Sequence, residues 1–237
     1  MAESAIHDVV VLGAGSGGYA TALRAAQLGL DVALIEEDKV GGTCLHRGCI
    51  PTKAMLHSAE IADNVREAAK FGVQATFGSI DMPGVAEFRQ SVVDRLYKGL
   101  QGLVSGRGVH LIQGHGEVVS PTAVRVGDGL VEGRNLVLAT GSYARSLPGL
   151  EVGGLVITSD QALQMQTIPT NPIVLGGGVI GLEFASMWTS FGAKVTIVEA
   201  LDHLAPNEDL AVSKLLERAF RRRGIGYKLG SKVADVS

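Results

Sequence analysis

The only two cysteines of the 237-residue chain fall in one stretch, Val40 to Ala54, which reads VGGTCLHRGCIPTKA. Cys44 and Cys49 have four residues between them and stand just before a helical pattern. In a compartment that keeps thiols reduced, two such neighbours are spent on chemistry rather than on stapling. A structural zinc needs more ligands than two sulfurs. None of His7, His46, His57, His110, His115 and His203 shows a companion spacing, so no metal site is expected. The plain alternative, two small core residues that happen to be neighbours, stands against the bracket of Gly41, Gly42, Thr43 and Gly48. Those glycines let a loop turn sharply and meet a flat ligand closely. Ile50 precedes Pro51, which disfavours regular helical backbone at Ile50. A helix start distorted in this way would bring the two residues close, and a bridge needs their Cα atoms within about 7 Å. A thiolate near a helix N-terminus is stabilised by exposed amides and is the better nucleophile for it. Lys53 adds a positive charge one turn on, and reads equally as a solvated first-turn residue.

Such a pair has to be positioned, and a repeat shows by what. Asp8–Leu12 reads as a buried strand running into Gly13-Ala-Gly15-Ser-Gly-Gly18, then a helix from Tyr19 to Leu28, and a second strand from Asp31 to Ile35 that ends at Glu36. Pro172–Leu175 runs likewise into Gly176-Gly-Gly178-Val179-Ile-Gly181, a helix to Phe191, and the strand Lys194–Val198 ending at Glu199. In both copies the acid stands 23 residues after the first glycine (36 − 13 and 199 − 176). One G-x-G-x-x-G is weak evidence in a chain with 32 glycines. Set between strand and helix, with a strand-end acid behind it, it is a dinucleotide-binding fingerprint. The helix N-terminus then faces phosphates, and Glu36 and Glu199 accept ribose hydroxyls. Two structural βαβ turns without a ligand are the alternative, which the repetition disfavours. An acid at 199 suits a free 2′-hydroxyl, and no arginine follows it before Arg218, so NAD rather than NADP is expected at the second site.

The rest of the chain reads as scaffold. Apolar positions at helical spacing over 52–70 and 84–104, among them Val85, Phe88, Val92, Leu96, Leu100 and Leu103, predict an antiparallel helix pair beside the first domain. Residues 109–138, broken by Gly127-Asp-Gly129, predict a small β-meander. Pro148 to Gly154 reads as a linker and 168–172 as a turn, which puts the domain boundary near 147. Hydrophobic residues at 46%, charged residues at 19% and a net charge of −3 fit a soluble α/β protein. They give no reason to expect nucleic acid or an anionic membrane as partner. No run approaches 18 apolar residues. Glu3 and Asp8 precede the first cation, Arg24, so a secretory leader is not expected and a cytoplasmic location is.

Two dinucleotide sites and a dithiol together imply an electron relay. Here the residues resemble a known family. The segment Gly41-Gly-Thr-Cys-Leu-His-Arg-Gly-Cys-Ile-Pro-Thr-Lys53 is similar to the active-site segment of the dihydrolipoamide dehydrogenases among the FAD-dependent pyridine nucleotide-disulfide oxidoreductases. Ala25–Gly29, Leu138–Ser142, Pro148-Gly149 and Gly178–Ser186 extend the resemblance along the chain. It implies an α/β fold of two Rossmann-like dinucleotide-binding domains, FAD then NAD, with a small antiparallel β-meander. Residues 1–147 would form the FAD-binding domain with the redox dithiol, and 148–237 the N-terminal part of the NAD-binding domain.

The resemblance also implies roles. Cys44 is the interchange thiol, and Cys49 lies against the flavin and forms a thiolate-to-flavin charge-transfer pair. The two form a redox disulfide. Lys53 sits by the flavin and pairs with Glu183, which without the family is merely an acid in the first turn of a helix. Gly13, Gly15, Gly18, Glu36, Gly42, Thr43, Gly116, Thr140, Gly141 and Ser142 belong to the FAD site, and Gly176, Gly178, Val179, Gly181 and Glu199 to the NAD site. Val179 stands where glutathione reductases carry a tyrosine, which leans toward the lipoamide branch. The implied reaction is oxidation of dihydrolipoamide, carried on the acyltransferase of a 2-oxo acid dehydrogenase complex, by NAD⁺.

Two departures bear on this reading. His46-Arg47 replaces the Asn-Val of most relatives; Arg47 either favours thiolate beside the dithiol or points to solvent. The chain ends at Ser237, whereas relatives run about twice as far. Both domains are therefore expected to be incomplete at their C-termini, without the dimerisation domain of a homodimeric family and without its His-Glu base, a role that no His-x-x-x-x-Glu candidate here fits; His203, in a loop next to Leu204 and Pro206, reads as structural or surface. The alternatives that remain open are a catalytically incomplete flavin- or nucleotide-binding fragment and a mercuric- or glutathione-type reductase.

Overall fold

The computed structural model describes residues 6–233; Glu3, one of the two acids that precede the first cation, lies outside them. The chain divides into two compact units, residues up to 51 with 91–144, and 52–90 with residues from 145 onward.

The first unit is built on β1 (His7–Leu12), α1 (Ser16–Gln27) and β2 (Val32–Glu36). Within the two strands, residues 9–12 and 32–35 are unbroken apolar runs rather than alternating ones, as expected of strands covered on both faces. Val9, Val11, Val32 and Leu34 pack on one side with Ala22 and Ala25 of α1, and Val10, Leu12, Ala33 and Ile35 on the other with Val124. Val10, Val11, Leu34 and Ile35 have no exposed surface. After β2 come α2 (Gly42–His46), α3 (Cys49–Glu67), which the unit division splits between residues 51 and 52, and α4 (Met82–Gly106), which it splits between residues 90 and 91. Then follow β3 (His110–Gln113), β4 (Gly116–Ser120), β5 (Ala123–Val126) and β6 (Gly129–Leu138). The sheet order is β3-β2-β1-β6-β5-β4.

The α/β expectation is met, with one difference in the stretch read as a meander. Only β4, β5 and the first half of β6 form an antiparallel meander. β3 runs parallel to β2, since the long helix before it returns the chain as a crossover, and β6 continues past Gly133 as a parallel partner of β1.

In the second unit α5 (Ser159–Ala162) precedes β7 (Ile173–Leu175), α6 (Val179–Phe191), β8 (Thr196–Val198), α7 (Leu210–Arg222) and β9 (Gly226–Lys228). β7, β8 and β9 form a parallel three-stranded sheet. The core gathers Met187, Trp188 and Phe191 of α6, Ile197 of β8 and Phe220 of α7 against Met55 and Ala59 of α3. No helix among the described residues is long and apolar enough to cross a membrane.

Candidate functional site

Each glycine fingerprint is a strand-to-helix turn whose residue types are set by close backbone contacts. Gly13 has φ +95° and Gly176 φ +105°, conformations that favour glycine. Gly13 N–H donates to Ile35 O and Gly176 N–H to Val198 O, both at 2.8 Å, so each turn is tied to the end of the second strand. A Cβ on Gly18 would run into Gly13 O, and one on Gly181 into Gly176 O. Gly15 and Gly178 are the N-caps of α1 and α6. Neither helix start is capped by a side chain, and neither first turn carries an acid: Glu183, read from the sequence as a first-turn acid, is the fifth residue of α6 and lies past its first turn. By contrast, α5 has a capping box from Thr158 and Gln161. The amides at the two fingerprint helices are thus left for an anionic ligand, and the donor set fits the phosphates of a dinucleotide.

The two strand-end acids are held alike. Glu36 accepts from Ala14 N–H at 2.6 Å and Asp38 N–H at 2.9 Å. Glu199 accepts from Gly177 N–H at 2.5 Å and Leu201 N–H at 2.8 Å. Glu36 is half-buried; Glu199 is only 7% exposed. The loop after it folds over the second turn, where Ala205 N–H donates to Gly177 O at 2.8 Å and fully buried Leu204 packs near Gly177. Val179 opens α6 and is exposed.

The dithiol segment sits directly on the first turn. Gly41 N–H donates to Ala14 O at 2.8 Å, and a Cβ on Gly42 would lie 2.7 Å from Gly15 Cα. Cys44 lies in the five-residue α2 and Cys49 is the first residue of α3. Gly48 packs on the backbone between them, where a Cβ would lie 3.0 Å from Thr43 O and 3.5 Å from Cys44 Cα. Both side chains are thiols, Cys44 half-buried and Cys49 exposed. The expectation that Pro51 pushes Ile50 out of helix is not met. Ile50 lies within α3, because a proline in the first turn has no helical N–H bond to lose. His46 Nε2 donates to Val40 O at 2.9 Å, and its ring stands edge-on to Tyr97.

One pocket of the first unit brings together Gly13, Gly15, Glu36, Gly42 and Thr43, and Thr140, Gly141 and Ser142 line it as well. Gly116 is not part of that lining; it packs against Leu12, Ile35 and Val124 at the ends of the central strands. Arg47 is exposed, and with Lys39 it lines this same pocket. That placement could not be chosen from the sequence, where Arg47 had two open readings. In the second unit Lys53 Nζ donates to Glu183 Oε1 at 2.5 Å. His203 pairs with Asp202 at 2.6 Å, and this hydrogen bond holds the Asp202 carboxyl below its ordinary range. Sequence reasoning missed Arg89, which is 6% exposed and donates to Leu163 O and Gln164 Oε1. Burial pulls its guanidinium below the ordinary arginine value.

Comparison with known proteins places this arrangement. Residues 7–237 match the family described as pyridine nucleotide-disulphide oxidoreductase. The chain is 45% identical over 241 residues to a dihydrolipoyl dehydrogenase of Bacillus subtilis (strain 168), covering 96% of this chain and 51% of that protein. A dihydrolipoyl dehydrogenase of Chlamydia pneumoniae is 38% identical, with 97% and 50% covered. Among solved structures, the Cu(II) complex of the HOCl-induced flavoprotein disulfide reductase RclA from Escherichia coli superposes with a TM-score of 0.77 at 28% identity, over 98% of this chain and 51% of that one. The chain spans about half the length of the curated relatives it matches.

Proposed function

Because the chain belongs to the pyridine nucleotide-disulphide oxidoreductase family, we propose that it serves the oxidation of dihydrolipoamide to lipoamide by NAD⁺, with FAD at the first fingerprint. The observation that carries this reading is the seating of the dithiol. Gly41 and Gly42 fasten the segment of Cys44 and Cys49 onto the first glycine turn, next to a helix start left open for phosphate. The names of the relatives, dihydrolipoyl dehydrogenase, support lipoamide as the substrate class. Flavoprotein disulfide reductase relatives support FAD. The acid Glu199, without a following arginine before Arg218, supports NAD.

In the oxidised couple a substrate thiolate attacks Cys44 Sγ, the bond to Cys49 breaks, and Cys49 leaves as thiolate. The second substrate thiol gives its proton to solvent and, as thiolate, attacks the substrate sulfur held on Cys44. Lipoamide closes its disulfide and Cys44 leaves as thiolate, so two electrons rest on the cysteine pair. FAD, when bound, supplies a two-electron acceptor for that pair and a hydride donor toward nicotinamide. Thr43, Thr140, Gly141 and Ser142 would hold it, with Glu36 on the ribose. Lys53, fixed by Glu183, provides a positive charge one turn past Cys49 on α3, and Gly176, Gly178 and Gly181 shape the turn for NAD. The lipoyl group of a 2-oxo acid dehydrogenase acyltransferase is the proposed carrier of the substrate, in the cytoplasm.

A second reading is binding of flavin or nucleotide without turnover, which the uncapped starts of α1 and α6 would serve by themselves. One experiment separates them. The visible spectrum of the purified chain is recorded before and after anaerobic dihydrolipoamide. Bound flavin that gains a long-wavelength charge-transfer band supports the dithiol relay. Flavin without a band supports the second reading, and a colourless protein overturns FAD binding by this chain.

A further inference from the structure

The ion pair of Lys53 with Glu183 is made between two helices, α3 and α6, and a second polar tie joins the same two helices further along. Asp63 of α3 accepts from Ser190 Oγ at 2.5 Å, and Arg66 NH1 donates to Ser190 O, also at 2.5 Å. Arg66 pairs with Asp63 at 3.0 Å as well. From the end of α7, Arg223 donates to Ser190 Oγ at 2.7 Å and to Ser186 Oγ at 2.6 Å, and stands 3.4 Å from Asp63. Ser190 is 4% exposed, so the hydroxyl and carbonyl that these groups satisfy are out of reach of bulk water. A buried acceptor left without its donor costs more than the bond returns when made, which makes such a tie hard to break piecemeal.

The geometry converts this tie into a register lock. Lys53 and Asp63 are ten residues apart on α3, about 15 Å along the axis, and Glu183 and Ser190 seven apart on α6, about 10 Å. Later residues of one helix meet later residues of the other, so the helices run in the same sense and are fastened at both ends. Met55 and Ala59 of α3 lie in the apolar cluster that includes Leu182, Met187 and Phe191 of α6. Apolar packing of this kind tolerates slides that directional polar contacts do not. A slide of α3 along α6 by half a helical turn, about 2.7 Å, would take both ties beyond hydrogen-bonding range.

We propose that Asp63, Arg66 and Ser190, braced by Arg223, are positioning residues: they hold α3 against α6 in the one register in which Lys53 meets Glu183. This inference rests on the reading of Lys53 and Glu183 as part of the redox site, since only then does their register matter to chemistry. The positioning itself is tested without flavin or turnover. The intact chain is exposed briefly to a lysine-acylating reagent, and the modification rate of each lysine is read by peptide mass spectrometry. Glu183→Gln, which removes the ion pair directly, sets the reference rate for an unpaired Lys53.

The Asp63→Ala/Arg66→Ala double variant is expected to raise the Lys53 rate about threefold or more, the lower end of coupling within one network. The rates at Lys39, Lys98 and Lys214 should stay unchanged. Added to Glu183→Gln, the double variant should raise the Lys53 rate no further. A Lys53 rate equal to the starting protein's in a folded variant overturns the proposal. So does a rise shared by all lysines, which would mean general loosening. Should the double variant fail to fold, Asp63→Ala alone decides by the same criteria, because Asp63 is well exposed to solvent at 40%. A flavin-free chain that passes this test would leave the register lock standing and remove the redox reading alone.

Discussion

Lys53 and Glu183 stand 130 positions apart in sequence and 2.5 Å apart in space, the lysine more than half exposed and the acid about a quarter. An ion pair in that setting adds little to stability, on the order of 1 kcal/mol or less. If its purpose is to fix a charge near the dithiol, activity should suffer far more than folding. Glu183→Gln is therefore expected to lower the melting midpoint by no more than about 2–4 °C. Flavin-linked oxidation of dihydrolipoamide should fall about tenfold or more, which is about 1.4 kcal/mol in the barrier. Paired melting curves and turnover assays check it; equal losses in both would make the pair a structural one.

The two cysteines should be separable by spectroscopy. Cys44 lies within the short α2 and Cys49 opens α3, and only the second is proposed to face the flavin. Cys44→Ser is expected to leave a thiolate–flavin absorption in the flavin-loaded chain, and Cys49→Ser to abolish it. Turnover is lost in both, since exchange needs two sulfurs. A band lost equally in both variants, with flavin retained, would reverse or dissolve the assignment.

Gly18 is set by contact rather than by backbone angle, because a Cβ there has no room beside Gly13 O. Gly18→Ala should force α1 off the turn, at a cost of about 1–3 kcal/mol. Flavin content per chain is expected to drop along with the melting midpoint. Gly17 is the control, since its Cβ would meet nothing within 4 Å. Gly17→Ala should change neither.

Arg89 tests a group that pattern reading passes over. Its guanidinium is buried, is paired with no carboxylate among the described residues, and satisfies Leu163 O and Gln164 Oε1 across 74 and 75 residues. Arg89→Met leaves that carbonyl unmet and should cost about 1–3 kcal/mol. Urea unfolding reads this directly; an unchanged midpoint would mean that water reaches Leu163 O as well as the arginine does.

What was legible in the sequence follows from what those residues are held by. The glycine turns and the strand-end acids could be placed because contacts such as Gly18 on Gly13 O and Gly42 on Gly15 Cα admit one residue type at one spacing. The pairing of Lys53 with Glu183 was reachable only through resemblance, as nothing local in either helix demands it. Asp63, Ser190 and Arg223 carried no signal, because their tie exists only where three helices meet. Arg89 went unread for a related reason: nothing in the apolar stripe beside it shows that the segment around Leu163 covers it. The parallel course of β3 depends on the long crossover through α4, which strand periodicity does not encode.

Glu199 carries the last prediction, since its carboxylate serves two masters. It accepts from Gly177 N–H and Leu201 N–H, and so holds the second turn and the loop over it. It is also proposed to accept from the ribose of NAD, for which a carboxylate has lone pairs to spare. Glu199→Gln keeps the shape but has one acceptor oxygen and an NH₂ group that cannot accept. One of the two amide bonds is lost, and the buried donor left behind costs about 1–3 kcal/mol in stability. NAD affinity is expected to fall about tenfold, the equivalent of one such bond. Discrimination against NADP should narrow, because the negative charge that repels a 2′-phosphate is gone. Titration calorimetry with both nucleotides, beside a melting curve, distinguishes the two duties. Reduced stability with unchanged NAD affinity and unchanged preference would confine Glu199 to holding the turn.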